Sequence, residues 1–155
     1  SRGLGDVYKR QLKEQLQQQI EELGLKDRVT LLGGLKEEKK QAYFGACDVF
    51  CLSSVMKTEA YAIVQVEAMS LGRPVVATKI PESGVSWVNA HEVSGLNVPV
   101  RDPEALAEAI HKICGDPELW KHYSQGARQR YDDTFTKDEM INNLIETYTQ
   151  LLNNN

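Results

Sequence analysis

Residues 48–78 read DVFCLSSVMKTEAYAIVQVEAMSLGRPVVAT, and the succession of patterns in this stretch decides the fold. Asp48-Val49-Phe50-Cys51-Leu52 is apolar at successive positions, as expected of a strand covered on both faces. A polar loop, residues 53–58, leads to a helical stretch over residues 62–71 that Gly72 closes. Pro74-Val75-Val76-Ala77-Thr78 is another apolar strand, with proline at its permitted first position. Strands of this kind joined through a helix argue for parallel pairing. In open sheets of that type ligands bind beyond the carboxyl ends of the strands. Residues 33–36, 53–62 and 79–88 are therefore the loops expected to carry chemistry.

The same alternation continues on both sides. Upstream, Leu12, Leu16, Ile20 and Leu23 recur at helical spacing, and Gly24 is a stop signal. Arg28-Val29-Thr30-Leu31-Leu32-Gly33 reads as a short buried strand, followed by a helix over residues 37–46. Downstream, residues 79–97 read as a loop punctuated by Pro81, Gly84 and Gly95, ending in a short strand at Leu96-Asn97-Val98. Asp102-Pro103 and Asp116-Pro117 each start a helix, with proline in its favoured early position. Thr136 and Glu139 form a capping box for a last helix. There Met140, Leu144, Ile145, Tyr148, Leu151 and Leu152 make one apolar stripe, to be buried against this domain or another. The fold class is α/β: a parallel sheet covered on both sides, in one domain over residues 12–152.

Composition narrows the function. The chain has 155 residues, 41% hydrophobic and 26% charged, a globular balance of about one domain. Acidic residues outnumber basic ones, 22 to 18, for a net charge of −4. That disfavours nucleic acid, which needs a concentrated positive face. No apolar run reaches the roughly 18 residues of a membrane span, leaving peripheral membrane contact open and a cytoplasmic location expected. Cys47, Cys51 and Cys114 lack metal or disulfide spacing, and the first two, flanking Val49-Phe50, are expected to be small buried residues. His91, His111 and His122 are scattered, so neither a metal site nor a hydrolytic triad is supported.

The first eleven residues, SRGLGDVYKRQ, show no clear period. Asp6-Val7-Tyr8-Lys9-Arg10-Gln11 resembles the translation of a transposase adapter used in sequencing libraries. Residues 1–11 are therefore expected to be a non-native scar, and the chain a C-terminal piece of a longer protein. Gly3-Leu4-Gly5 does not open a dinucleotide loop, because Tyr8 stands where the third glycine belongs.

Glu59 and Glu67 stand eight positions apart, one just before the helix start and one inside it. Fully helical spacing would separate them by about 12 Å, roughly the reach from a sugar past a diphosphate to a ribose. Between them the N–H groups near residues 60–64 open a helix, a setting that suits an anion. Carboxylates at both ends would accept from paired hydroxyls. The geometry suits a nucleotide-sugar.

Ser54, Thr58-Glu59-Ala60-Tyr61-Ala62-Ile63-Val64-Gln65-Val66-Glu67-Ala68-Met69 and Gly72-Arg73-Pro74-Val75-Val76-Ala77-Thr78 together resemble the E-x7-E signature of family four glycosyltransferases. Arg28–Gly33 and Asp48–Ser54 are similar to two strands of that family's C-terminal, donor-binding domain. Gly84-Val85-Ser86-Trp87-Val88 and Ser94-Gly95-Leu96 are similar to segments of its mannosyl- and rhamnosyl-transferase-like members. The resemblance implies a Rossmann-like domain, the C-terminal half of a GT-B fold lacking its first strands. It also implies retaining, metal-independent transfer of a hexose from a nucleotide-sugar, with a mannose-type donor such as GDP-mannose, to a glycan or lipid acceptor.

By the same resemblance, Glu59 would accept from hydroxyls of the transferred sugar and Glu67 from the ribose. Backbone N–H groups at Tyr61, Ala62 and Ile63, next to Ala60, would face the diphosphate, and Gly33-Gly34-Leu35 would line the nucleobase. Ser54 and Thr58 either join the donor site or cap the following turn. The chain departs from the family in carrying alanine at positions 60 and 62, where glycine is frequent, and Ser53 before Ser54 where proline is usual. The family's basic pair for the diphosphate and its N-terminal acceptor domain have no counterpart here; Lys57, Lys79 and Arg73 are the nearest cations. One helix terminus contributes only about 0.3–1 kcal/mol, so no catalytic residue is assigned and negligible transfer is expected from these residues alone. Two other readings stay open: a non-catalytic interaction module with a protein partner for the Met140–Leu152 stripe, and a sugar-nucleotide epimerase of the same fold.

Overall fold

The computed structural model describes residues 2–153 in backbone and, from Leu12 onward, in side chain. The chain divides between Glu37 and Glu38 into two compact units.

The first unit is built on helix α1 (Arg2–Glu22). Its backbone is helical through residues 11 and 12, so residues 2–11, which lack a clear sequence period, continue the helix of Leu12, Leu16 and Ile20. Gly24 ends it in the left-handed region (φ 66°). Its N–H donates to the Glu21 carbonyl at 3.1 Å, and that of Leu25 to Ile20 at 2.8 Å. Glycine meets this conformation without a Cβ clash.

Beyond it, the strand expected at Arg28–Gly33 is not formed. The N–H groups of Arg28 and Val29 both turn back to the Leu25 carbonyl at 2.9 Å. Among the described residues nothing pairs with this segment, and Val29 and Leu32 stay 40% and 41% exposed. Apolar composition alone does not hold a strand without a neighbouring ladder.

The second unit opens with α2 (Glu37–Ala46), whose first residue lies on the boundary, and continues through β1 (Phe50–Leu52), α3 (Ile63–Ser70), β2 (Val75–Thr78), α4 (Val85–Val88) and β3 (Gly95–Val98). It closes with α5 (Pro103–Cys114), α6 (Pro117–Arg130), a π-helical turn (Tyr131–Phe135) and α7 (Lys137–Asn153). The sheet is parallel in the order β1-β2-β3, with Phe50 opposite Val75 and Val76 opposite Leu96. This is the expected α/β class.

Strand β2 organises the unit because every residue in it is buried. Val75 and Ala77 face a core with Met69 of α3, Val85 and Val88 of α4, and Ala127 of α6. Val76 faces the other side, with Leu96, Val98, Ala109, Ile113 and Tyr123. Burying each valine contributes about 1.5–3 kcal/mol. Asn89, fully buried, links the adjacent strands: its Nδ2 lies 3.1 Å from the carbonyl oxygens of both Val75 and Leu96, and its Oδ1 accepts from Ser94 Oγ at 2.8 Å.

The helix starts follow the sequence signals. Asp102 accepts from the Ala105 N–H at 2.9 Å, and Asp116 from Glu118 and Leu119 at 3.0 and 3.1 Å. Thr136 Oγ1 accepts from the Glu139 N–H at 3.3 Å. Two further expectations are corrected. Residues 79–97 contain α4, because Gly84 offers its carbonyl to the N–H groups of Trp87 and Val88. Cys51 is exposed and Cys47 half-buried, since β1 lies at the sheet edge and packs inward only through Phe50 and Leu52. Of the two settings left open for the α7 stripe, burial against this domain is not found among the described residues: Met140, Leu144, Ile145, Tyr148, Leu151 and Leu152 are all exposed.

Candidate functional site

At the carboxyl end of β1 the chain turns sharply. Thr78 Oγ1, at the end of β2, lies 3.4 Å from the Leu52 carbonyl oxygen and bonds that of Ser54. The Glu59 N–H closes a turn onto the Met56 carbonyl at 3.0 Å. Ser54 Oγ then reaches Glu59 Oε2 at 3.4 Å, so the half-buried carboxylate is steered by a hydroxyl. Ala62 stands in the left-handed region (φ 55°, ψ 69°) directly before α3, with no side-chain cap. Among the described residues, no acceptor is bonded to the N–H groups of Ala60, Tyr61, Ala62, Ile63 or Val64. The loop thus presents a run of unsatisfied donors at the positive end of an eight-residue helix.

Glu67 sits inside α3 and pairs with Lys40 of α2. Lys40 Nζ lies 3.0 Å from each carboxylate oxygen and donates to Oε1. The two side chains are only 27% and 25% exposed. Oε2 is buried and, beyond this ion pair, meets no hydrogen-bond donor among the described residues.

The ring of Tyr61 belongs to an aromatic group with Trp87 and Phe135, at centroid distances of 6.2 Å to each. Trp87 and Phe135 meet edge-on at 5.6 Å. Arg130 covers both rings, at 5.3 and 5.5 Å, while its Nε donates to the Val88 carbonyl at 2.8 Å and its Nη2 to that of Trp87. Burial raises the Tyr61 hydroxyl above its ordinary value against the opposing pull of Arg130, and burial lowers the Arg130 guanidinium.

The residues singled out from the sequence separate into groups. Ser54, Glu59, Ala60, Tyr61, Ala62, Ile63 and Glu67 line the loop and the first turns of α3. Thr58 is exposed. Gly33, Gly34 and Leu35 belong to the first unit, where Gly33 is left-handed (φ 66°), both glycines are exposed and Leu35 is half-buried. Of the cations, Lys57 is engaged by Glu82 in an exposed pair. Arg73 precedes β2, at the amino end of the sheet; it donates to the Cys47 carbonyl at 3.1 Å and stacks 6.0 Å over Trp120. It therefore does not serve the carboxyl-end loops. Lys79 is exposed just past β2. The cation at Glu67 is Lys40, which sequence reasoning missed because only the tertiary fold brings it there, 27 residues away in the chain. Among the described residues no group of three or more His, Cys, Asp or Glu side chains is placed to hold a metal ion. No helix among them is long and apolar enough to cross a membrane.

Comparison with known proteins gives this arrangement its context. Residues 4–130 match the family described as "Glycosyl transferases group 1". The chain is 30% identical over 141 residues to the O-antigen chain mannosyltransferase C of Escherichia coli, covering 91% of this chain and 38% of that protein. It is 30% identical over 125 residues to the D-rhamnosyltransferase WbpZ of Pseudomonas aeruginosa, covering 81% and 32%. In structure it superimposes on Anabaena Alr3699/HepE, solved in complex with UDP and glucose, with a TM-score of 0.82 and 27% identity over 93% of this chain and 38% of that one. The chain thus spans less than two-fifths of each of these three proteins. Its sheet and helices correspond to the C-terminal Rossmann-like domain of GT-B glycosyltransferases.

Proposed function

The chain belongs to the glycosyl transferases group 1 family, and on that premise we propose that it is the donor-binding part of a retaining glycosyltransferase that moves a mannose-like hexose from a nucleotide-sugar to a glycan or lipid acceptor. One observation carries the reading: Glu59 and Glu67 flank an α3 start whose N–H groups have no acceptor among the described residues. The loop N–H groups receive the diphosphate. Glu59, steered by Ser54, accepts from hydroxyls of the sugar, and the Glu67 carboxylate, oriented by Lys40, accepts from the ribose. The mannosyl- and rhamnosyl-transferase names of the relatives favour a mannose-type donor, whereas the structural neighbour's ligand is UDP, so the base is the open variable.

A leaving nucleoside diphosphate needs more positive charge than one helix terminus supplies. The rest of the charge, and the acceptor, are assigned to the remainder of the full-length protein, which works without a divalent metal and touches the membrane only peripherally. Incubating full-length protein with GDP-mannose, UDP-glucose and an acceptor panel in the presence of EDTA, and reading products by NMR, tests this. Transfer with the donor's anomeric configuration kept is expected. Inversion of a sugar centre on the donor, with no transfer, would replace the reading by an epimerase.

A further inference from the structure

The donor loop is tied down from behind, carbonyl by carbonyl. The Glu59 carbonyl accepts from Ser83 Oγ at 2.5 Å, and the Ala60 carbonyl from the Gly84 N–H at 2.8 Å. The Tyr61 carbonyl lies 3.5 Å from Gln65 Nε2, which also stands 3.4 Å from the Val85 carbonyl. Ser83 Oγ in turn accepts from the Val85 N–H at 3.2 Å, which fixes the hydroxyl that holds Glu59. Gln65 is fully buried, so its amide is committed to this one place.

These anchors decide where the loop's donors point. The peptide bonds are trans, and in a trans peptide the C=O of one residue and the N–H of the next are antiparallel. Fixing the carbonyls of Glu59, Ala60 and Tyr61 therefore turns the N–H groups of Ala60, Tyr61 and Ala62 away from their anchors. Those are N–H groups with no acceptor among the described residues. The approach is close enough to exclude a side chain at position 84: a Cβ there would lie 2.8 Å from the Ala60 carbonyl oxygen. Gly84 has an ordinary φ of −75°, so space and not conformational freedom calls for glycine.

We propose that Ser83, Gly84 and Gln65 are positioning residues that hold the N–H groups of Ala60, Tyr61 and Ala62 aimed at a diphosphate before it arrives. The inference rests on the donor-binding reading above and adds residues outside the E-x7-E stretch and a role for Gln65 within it. Pre-aimed donors bind an anion without first losing loop entropy, which is where preorganisation adds affinity.

The test uses the 15N-labelled chain with inorganic pyrophosphate as probe, compared in wild type, Ser83→Ala, Ser83→Thr, Gln65→Met and Gly84→Ala. In the free wild type the heteronuclear NOE values of the Ala60, Tyr61 and Ala62 amides should equal those inside α3, and pyrophosphate should shift these three amides. Ser83→Ala and Gln65→Met should lower those NOE values while α3 keeps its own, and should weaken pyrophosphate binding roughly two- to ten-fold, the worth of one hydrogen bond. Gly84→Ala should displace the Ala60 amide resonance, and Ser83→Thr, which retains the hydroxyl, should restore wild-type values. Wild-type NOE values and affinity in both Ser83→Ala and Gln65→Met would overturn the brace and leave the donor-binding reading intact. Pyrophosphate shifts confined to other amides would overturn the phosphate-aiming role. A full-length protein that binds no nucleotide-sugar, alongside the expected NOE changes in the chain, would remove the donor reading and keep the brace.

Discussion

Val29-Thr30-Leu31-Leu32 and Val75-Val76-Ala77-Thr78 are both short runs of aliphatic and β-branched residues, and they end in different states. The second lies between β1 and β3, donates and accepts on both sides, and buries both faces. The first has no ladder partner among the described residues, and Val29 and Leu32 stay substantially exposed. Strand character is thus conferred by neighbours: the same chemistry makes a core strand in one place and a turn-following coil in the other. The difference reaches the site. The loop ending at Ala62 follows β1, is fastened to the end of β2 through Thr78, and is braced by the segment between β2 and β3. Its geometry is inherited from the well-packed part of the chain.

Breaking the packed side should therefore cost far more than altering the unpaired one. Met69→Ala, which empties a fully buried position against β2, should destabilise by about 2–5 kcal/mol in urea unfolding. Val29→Thr should stay within about 0.5 kcal/mol. Equal effects would mean that residues 29–32 are packed after all. Asn89→Ala removes the buried amide that joins β2 to β3 and should cost about 1–3 kcal/mol, visible as a lower urea midpoint.

A smaller effect of opposite sign is expected at the site. Ala62 holds a left-handed backbone at φ 55°. That conformation costs a non-glycine residue about 1–2 kcal/mol, and glycine's extra unfolded-state entropy offsets about 0.5–1 of it. Ala62→Gly should raise the unfolding midpoint by the equivalent of about 0.5–1 kcal/mol. A lowered midpoint would show that the loop does not store that strain.

The smallest effect is electrostatic. Burial raises the Tyr61 hydroxyl above its unfolded value of 10.0, with Arg130 opposing. A raised folded value means that the contribution is fully present below pH 10 and is lost as pH climbs through the folded value. Tyr61→Phe should lose less stability than wild type over that alkaline window, and identical slopes would contradict the partial desolvation of this hydroxyl.

What could be read in advance follows the same division. Local signals sufficed for β2, for the proline-led helices with Asp102 and Asp116 caps, and for the spacing of Glu59 and Glu67, because each depends on residues close in sequence. At Arg28–Gly33 the local pattern does not decide the outcome, because a strand needs a partner that no local pattern guarantees. Lys40 at Glu67 and Asn89 between strands were invisible for a related reason: each acts through a contact set by how elements pack. Residues 79–97 looked like loop because α4 is a single turn whose start is a glycine carbonyl, with no polar side-chain cap to announce it.

The central claim is that Glu67 receives the ribose of a nucleotide-sugar. Isothermal titration of full-length protein with its donor, wild type against Glu67→Ala, tests it most directly. Two hydroxyl contacts to a charged acceptor predict a loss of affinity of roughly a hundred-fold or more, at about 1.5–3 kcal/mol for each such bond. An unchanged dissociation constant in a folded Glu67→Ala variant would contradict the account.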